Sequence, residues 1–262
     1  MNERFAQSLE VNVNRFGEIV KSLPENVLLP IATTADLEVR LKDALDKKDV
    51  YGANRIFWRD QLSTFEAWKL MFLWRMSEQS QAALFLRDEN KIVSCASVCR
   101  SAFELAINAL VISGKLSNVL HQLDARRVKS TLSFSNTFPA DVELAIYGTR
   151  IAERVSNSVP TQKNIMTHLE RLKKHPLGSG LEKTYELLCD LTHPNWLGNR
   201  PFYRRGETGT IVGVSKKYDS EWRQEAQSTI ASTLSWTVHA AINVADQSDT
   251  AIAHARSAFT EE

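Results

Sequence analysis

The stretch Lys91–Lys115, KIVSCASVCRSAFELAINALVISGK, decides the fold. At about 100° per residue, Ser94, Ser97, Arg100, Ser101, Glu104 and Asn108 fall within roughly a third of a helix circumference. The remaining girth carries Ile92, Val93, Cys95, Val98, Cys99, Phe103, Leu105, Ile107, Leu110, Val111 and Ile112. A surface helix has a broad charged face; one that is apolar over most of its girth is surrounded by neighbours. Its polar seam must then meet solvent in a cleft or be hydrogen-bonded by another helix, because an unpaired buried polar group is costly. The segment therefore predicts a helical core. It also directs attention to Arg100 and Glu104, which are one turn apart.

Bulk properties agree. The hydrophobic fraction of 43% and charged fraction of 24% are those of a globular chain. With 10 Gly and 7 Pro in 262 residues, turns are few, which favours long helices. The net charge of +1 provides no global field for nucleic acid or membrane, so any such contact needs a local patch. Three cysteines, Cys95, Cys99 and Cys189, are odd in number and lie in apolar helical patterns, which suits a reducing cytosol better than a disulfide framework. The start, MNERFAQSLE, lacks the basic and apolar regions of a signal peptide. Arg75, Arg100 and Glu104 interrupt the apolar runs before they reach membrane-spanning length. The expectation is a cytoplasmic protein without membrane contact.

Working outward towards the N-terminus, residues 3–22 repeat apolar positions at helical spacing. A second helix follows with Thr34 as its cap. These first fifty residues read as an arm or subdomain. Ser63-Thr-Phe-Glu66 has the form of a capping box, which predicts a break near residue 62 and a helix from 63 to about 88. The aromatic and Met residues of that helix are core.

Towards the C-terminus, Gly114 is expected to end the central helix. Helices are predicted over 117–134, 141–157 and 161–175, the last capped by Thr161. Arg126, Arg127 and Lys129 read as a solvated face. A further helix runs from Leu181 to Thr192, with Tyr185, Cys189 and His193 recurring every four residues. Pro194 turns His193 away from the helical region and stops the helix. An imidazole at that end has its protonated form favoured by the helix dipole. The alternation of FYRRGETGTIVGVSKKY predicts a small hairpin near 202–216. Its Arg204 and Arg205, with Arg200 before them and Lys216 and Lys217 after, make the best local anion-binding candidate. A long helix follows from about Ser220, and residues 249–259 form a separate short terminal helix. The expected divisions are 1–50, a bundle over 51–247 and a tail over 248–262.

No Walker loop, GxGxxG, HExxH or GxSxG occurs. Cys95 with Cys99, and Cys189 with His193, have the spacing of a zinc half-site, but the first pair points away from the polar seam. No metal and no cofactor is expected.

Arg100-Ser101-x-x-Glu104 in mid-helix, followed by Tyr185-x-x-Leu188-x-x-x-x-His193-Pro194, resembles uncharacterised bacterial helical proteins related to the HEPN group, over roughly residues 55–247. The resemblance implies an all-α up-and-down helical bundle, often a homodimer. It also implies a metal-independent endoribonuclease or RNA-binding component of a toxin or defence system. The implied catalytic residues are His193 as general acid or base, Arg100 for the developing phosphate charge and Glu104 to orient Arg100. Tyr185, Asn195, Arg200, Arg204 and Arg205 would bind. The Arg that the family carries a few residues before its His is absent, since residues 186–188 are Glu, Leu and Leu. The alternative is a non-catalytic protein-interaction module in which Arg100, Glu104 and His193 form a structural cluster.

Overall fold

The computed structural model describes residues 3–135, 137–147, 164–174, 178–193, 196–205, 211–217 and 220–260. The fold class is all-α, a helical bundle with one small hairpin; helix accounts for 81% of the structure. The helices are α1 (Glu3–Ser22), α2 (Thr34–Asp46), α3 (Val50–Asp88), α4 (Ile92–Leu120), α5 (Ala125–Ser130), α6 (Thr137–Tyr147), α7 (Ile165–Leu172), α8 (Leu181–Thr192), α9 (Trp196–Asn199) and α10 (Ser220–Ser257). A 3-10 turn over Arg200–Phe202 leads into β1 (Tyr203–Arg205), which pairs antiparallel with β2 (Ile211–Val214). The hairpin register shifts between Arg204 and Arg205.

Several local expectations are corrected. The capping box at Ser63 does not open a helix, because α3 runs unbroken from Val50 to Asp88. The Ser63 hydroxyl instead donates to the Arg59 carbonyl one turn back (3.0 Å), and Glu66 pairs with Arg256. Gly114 does not end α4, which continues to Leu120. The helix expected over 117–134 is divided: Asp124 caps a short α5 by accepting from the Arg126 and Arg127 amides, which leaves residues 121–124 as a turn. Thr33, not Thr34, caps α2, its hydroxyl accepting from the Asp36 amide. The terminal helix is not separate; residues 249–257 continue α10. Helix 141–157 begins earlier, as α6, and its residues beyond 147 lie outside the described residues, as does Thr161.

The chain divides into two compact units. Unit 1 takes residues 1–22, 74–107 and 165–242; unit 2 takes 23–73, 108–164 and 243–262. These units do not follow divisions at 50 and 247. In unit 1, α1 is tied to α10 by a bond from Asn12 Nδ2 to Ser235 Oγ (3.1 Å). Its core includes Met76, Ala83, Ile92, Cys95, Cys99, Phe103, Leu188, Ile230 and Leu234, all fully or almost fully buried.

In unit 2, Trp58, Phe65 and Phe138 pack edge to face. The buried Asn54 side chain organises the turn after α5. Its amide donates to the Val128 and Thr131 carbonyls (2.8 and 2.9 Å) and its oxygen accepts from the Ser133 amide (2.9 Å). Lys69, nearly buried, reaches Asp249, and Lys115 pairs with Asp141 at 2.8 Å.

α4 is long and apolar enough, by length and composition, to cross a membrane, so the charged residues do not interrupt it as expected. Yet 61% of that window is buried against the rest of the protein, which is the pattern of a core helix.

Candidate functional site

The polar seam of α4 is open at its first two turns and clasped further on. Ser94, Ser97 and Ser101 are exposed, while Arg100 and Glu104 are half-buried. Gln79 of α3 donates to the Ser101 hydroxyl (2.9 Å). Arg100 Nε donates to Glu104 Oε1 (3.1 Å), the i,i+4 pair that the sequence places on one face. The other two guanidinium nitrogens cross to α8. NH1 donates to the Thr192 hydroxyl (3.2 Å) and NH2 to the Tyr185 phenol oxygen (3.4 Å). The Thr192 hydroxyl also faces the Leu188 and Cys189 carbonyls of its own helix (2.9 and 3.1 Å), so its proton is committed there and its lone pairs are left for Arg100.

Arg100 also lies over the Tyr185 ring, 5.5 Å from its centroid. Tyr185 in turn stacks on the fully buried Phe103 (6.5 Å, 13°), and Phe103 meets Trp236 of α10 (4.9 Å). A guanidinium above an aromatic face gains from the ring quadrupole. Beyond Phe103, α8 and α10 border a cleft of about 390 Å³, lined by Thr184, Leu187, Ser228, Ser232, Thr233 and Trp236 among others.

Burial opposes the charge on Arg100, but the bonds to Tyr185 and Glu104 and the nearby Cys189 together hold its pKa above the ordinary value. Burial, and then the charge of Glu104, raise the pKa of Tyr185, so the phenol stays protonated well into the alkaline range.

His193 does not join this hydrogen-bonded group among the described residues. It is the C-cap of α8, with φ −80° and ψ 147°, the extended conformation that a following proline demands. Its amide bonds the Cys189 carbonyl (2.9 Å) and its ring is exposed. The reason is angular. Two four-residue steps from Tyr185 overshoot two turns by about 80°, whereas the seven-residue step to Thr192 returns within about 20°. Thr192, not His193, therefore shares the face of Tyr185. The chain then turns sharply: a Cβ on Gly198 would lie 1.9 Å from the His193 carbonyl oxygen, so only glycine fits there.

Of the other candidate residues, Arg200 is half-buried in the 3-10 turn, and Arg204 donates to the Lys217 carbonyl, tying the hairpin to the segment after it. Arg205 lies in β1, and Asn195 lies outside the described residues. Lys216 and Lys217 are exposed. Cys95 and Cys99 are buried with sulfurs 4.0 Å apart, and Cys95 Sγ contacts the Ala83 carbonyl at 3.1 Å. The Cys95 contact and then burial push the Cys99 thiol well above its usual pKa. Among the described residues no three His, Cys, Asp or Glu side chains are grouped as metal ligands would be.

Neither Thr192 nor Trp236 belongs to a motif that marks it in the sequence. The seven-residue spacing from Tyr185 was the available signal for Thr192. Trp236 had none beyond its place on an amphipathic helix.

The fold and site define an all-helical protein in which an Arg–Glu pair on a core helix is clasped by a Tyr and a Thr from a second helix. Comparison with family models, curated proteins and solved structures finds no match.

Proposed function

We propose that this chain is a non-catalytic helical interaction module, and that Arg100, Glu104, Tyr185 and Thr192 brace α8 against α4. One observation carries the reading: each nitrogen of the Arg100 guanidinium already donates to an acceptor of the chain itself. A guanidinium that stabilises a phosphodiester transition state must aim its N–H groups at the oxygens where charge develops. Here its edges face Glu104, Thr192 and Tyr185, and Glu104 puts a negative charge where a phosphate would approach. The exposed apolar side chains of unit 2, Val27, Leu28, Ile31, Val39 and Leu45, support a protein as the partner.

A second reading is a HEPN-like, metal-independent endoribonuclease of a bacterial toxin or defence system, with His193 as general acid or base. It is favoured by one feature: His193 follows Thr192 directly and its ring is open to solvent. RNA, a homodimer and a cytosolic setting belong to this reading.

The test is incubation of the purified chain with end-labelled RNA of mixed sequence in the presence of a chelator. The module predicts no cleavage above a protein-free control. A product ladder that vanishes in His193→Ala and Arg100→Ala, both still folded, would establish the nuclease instead.

A further inference from the structure

The hairpin lies in unit 1, and among the described residues its sheet has two strands, β1 and β2. Each strand therefore has one partner and one outer edge. The register decides which backbone groups face outward. Tyr203 stands opposite Val214 and Arg204 opposite Gly213. The Ser215 amide donates to the Phe202 carbonyl (2.8 Å), which makes Phe202 and Ser215 a hydrogen-bonded pair. In an antiparallel ladder such pairs alternate with pairs whose N–H and C=O point away from each other. Val214 belongs to the second kind, so its N–H and C=O face the outer edge of β2.

Both faces of the sheet are open at this edge. The Val214 side chain is 75% exposed on one face, and on the other a Cβ added at Gly213 would meet nothing within 4 Å. A glycine inside a strand leaves room for a second backbone to approach. β2 runs on into Lys216 and Lys217, which are exposed and carry no ion pair among the described residues. Over residues 200–217 the sequence has five cations and one acid, Glu207. Lysines beside an open edge repel a second copy of the same hairpin, and they attract a strand that carries acids.

We infer that the outer edge of β2, over Gly213–Lys217, takes an extended acidic segment of a partner protein as a third strand. Its main chain bonds the Val214 N–H and C=O, an apolar side chain rests on Val214, and its carboxylates meet Lys216 and Lys217. Main-chain bonds supply the affinity in such strand addition, and the flanking side chains supply the selectivity. A phosphodiester chain fits this edge less well, because it brings no N–H to the Val214 carbonyl. The inference rests on the module reading only in taking a protein as the partner; the Arg100 group has no part in it.

The experiment is fluorescence anisotropy of the full chain with a labelled octapeptide of alternating glutamate and valine. The same peptide with lysine for glutamate, and a single-stranded oligouridylate, serve as comparators. The acidic peptide is expected to bind at least about tenfold more tightly than either, and to weaken as salt rises. Val214→Pro removes the outward N–H without touching the ladder, so it should weaken the peptide about tenfold or more with an unchanged melting temperature, whereas Val214→Ala should weaken it only about twofold. The Lys216→Gln, Lys217→Gln double variant should weaken it about fivefold. Four results would overturn the inference: equal affinity for the acidic and basic peptides, tighter binding of the oligouridylate, indifference to both Val214→Pro and the double variant, or no binding of the acidic peptide up to about 1 mM. RNA cleavage by the chain would remove the module reading and leave these titrations to stand or fall separately.

Discussion

Replacing Arg100 with Ala removes all the bonds of the brace at once, and the structure sets the magnitude. Arg100 and Glu104 are 27% and 33% exposed at their side chains, so their mutual attraction is screened and contributes only about 0.3–0.5 kcal/mol, as for other i,i+4 pairs. The bonds to Thr192 and Tyr185 come from a charged donor in a half-buried setting and contribute about 1 kcal/mol each. The position over the Tyr185 ring adds roughly 0.5–1 kcal/mol. Glu104, left behind, keeps its access to water, so the ~3–5 kcal/mol cost of stranding a fully buried ion does not apply. The expected loss is about 3 kcal/mol, a fall in melting temperature of roughly 6–12 °C for a chain of this size. Calorimetric melts of Arg100→Ala, Thr192→Val and the double variant read both the loss and the coupling. Sharing a bond, the two changes should be non-additive by about 0.5 kcal/mol or more. A melting temperature within about 1 °C of the parent, or strict additivity, would refute the brace.

Asn54→Ala should be at least as damaging, by about 2–4 kcal/mol, because it strands two carbonyls and an amide around a fully buried side chain; denaturant titration measures this, and a loss under about 1 kcal/mol would contradict the role given to that turn. In the native protein a water-soluble disulfide reagent should titrate Cys189 alone, since Cys95 and Cys99 are fully buried; all three thiols should react after unfolding. The raised pKa of Tyr185 predicts an alkaline limb: its contribution to stability is intact below the unfolded phenol pKa of about 10 and is lost as pH rises through the higher folded value. Tyr185→Phe should therefore lose less stability than the parent above that pH, and a parent whose alkaline melts match those of Tyr185→Phe in slope would count against it.

Much of this architecture is legible in the sequence because it depends on period and composition. The seam of α4, the stop at His193 and the hairpin after it all follow from residues that act locally: Arg100 four before Glu104, Pro194 after His193, and the strand formers Ile211, Val212 and Val214. What failed did so where a tertiary partner overrides a local signal. Ser63 and Glu66 spell a helix start, but the packing of Leu62 and Phe65 on both sides of it keeps α3 continuous, and Glu66 finds Arg256 far along the chain. Gly114 is a helix terminator only where the helix has somewhere to turn; flanked by buried Ser113 and Leu116, it stays helical. At the site, the Arg100–Glu104 pair is readable, whereas its meeting with Tyr185 is a tertiary contact and the choice of Thr192 over His193 depends on an angular drift that four-residue counting conceals.

Native-state hydrogen exchange of Arg100→Gln beside the parent tests the brace most directly, because Gln keeps the length of the side chain without the charge and the fork. The account predicts that amides of α8, Leu181–Thr192, lose protection while those of α2 and α5 in unit 2 exchange as before. Unchanged protection across α8, together with loss of an RNA-directed activity that the parent possesses, would contradict it.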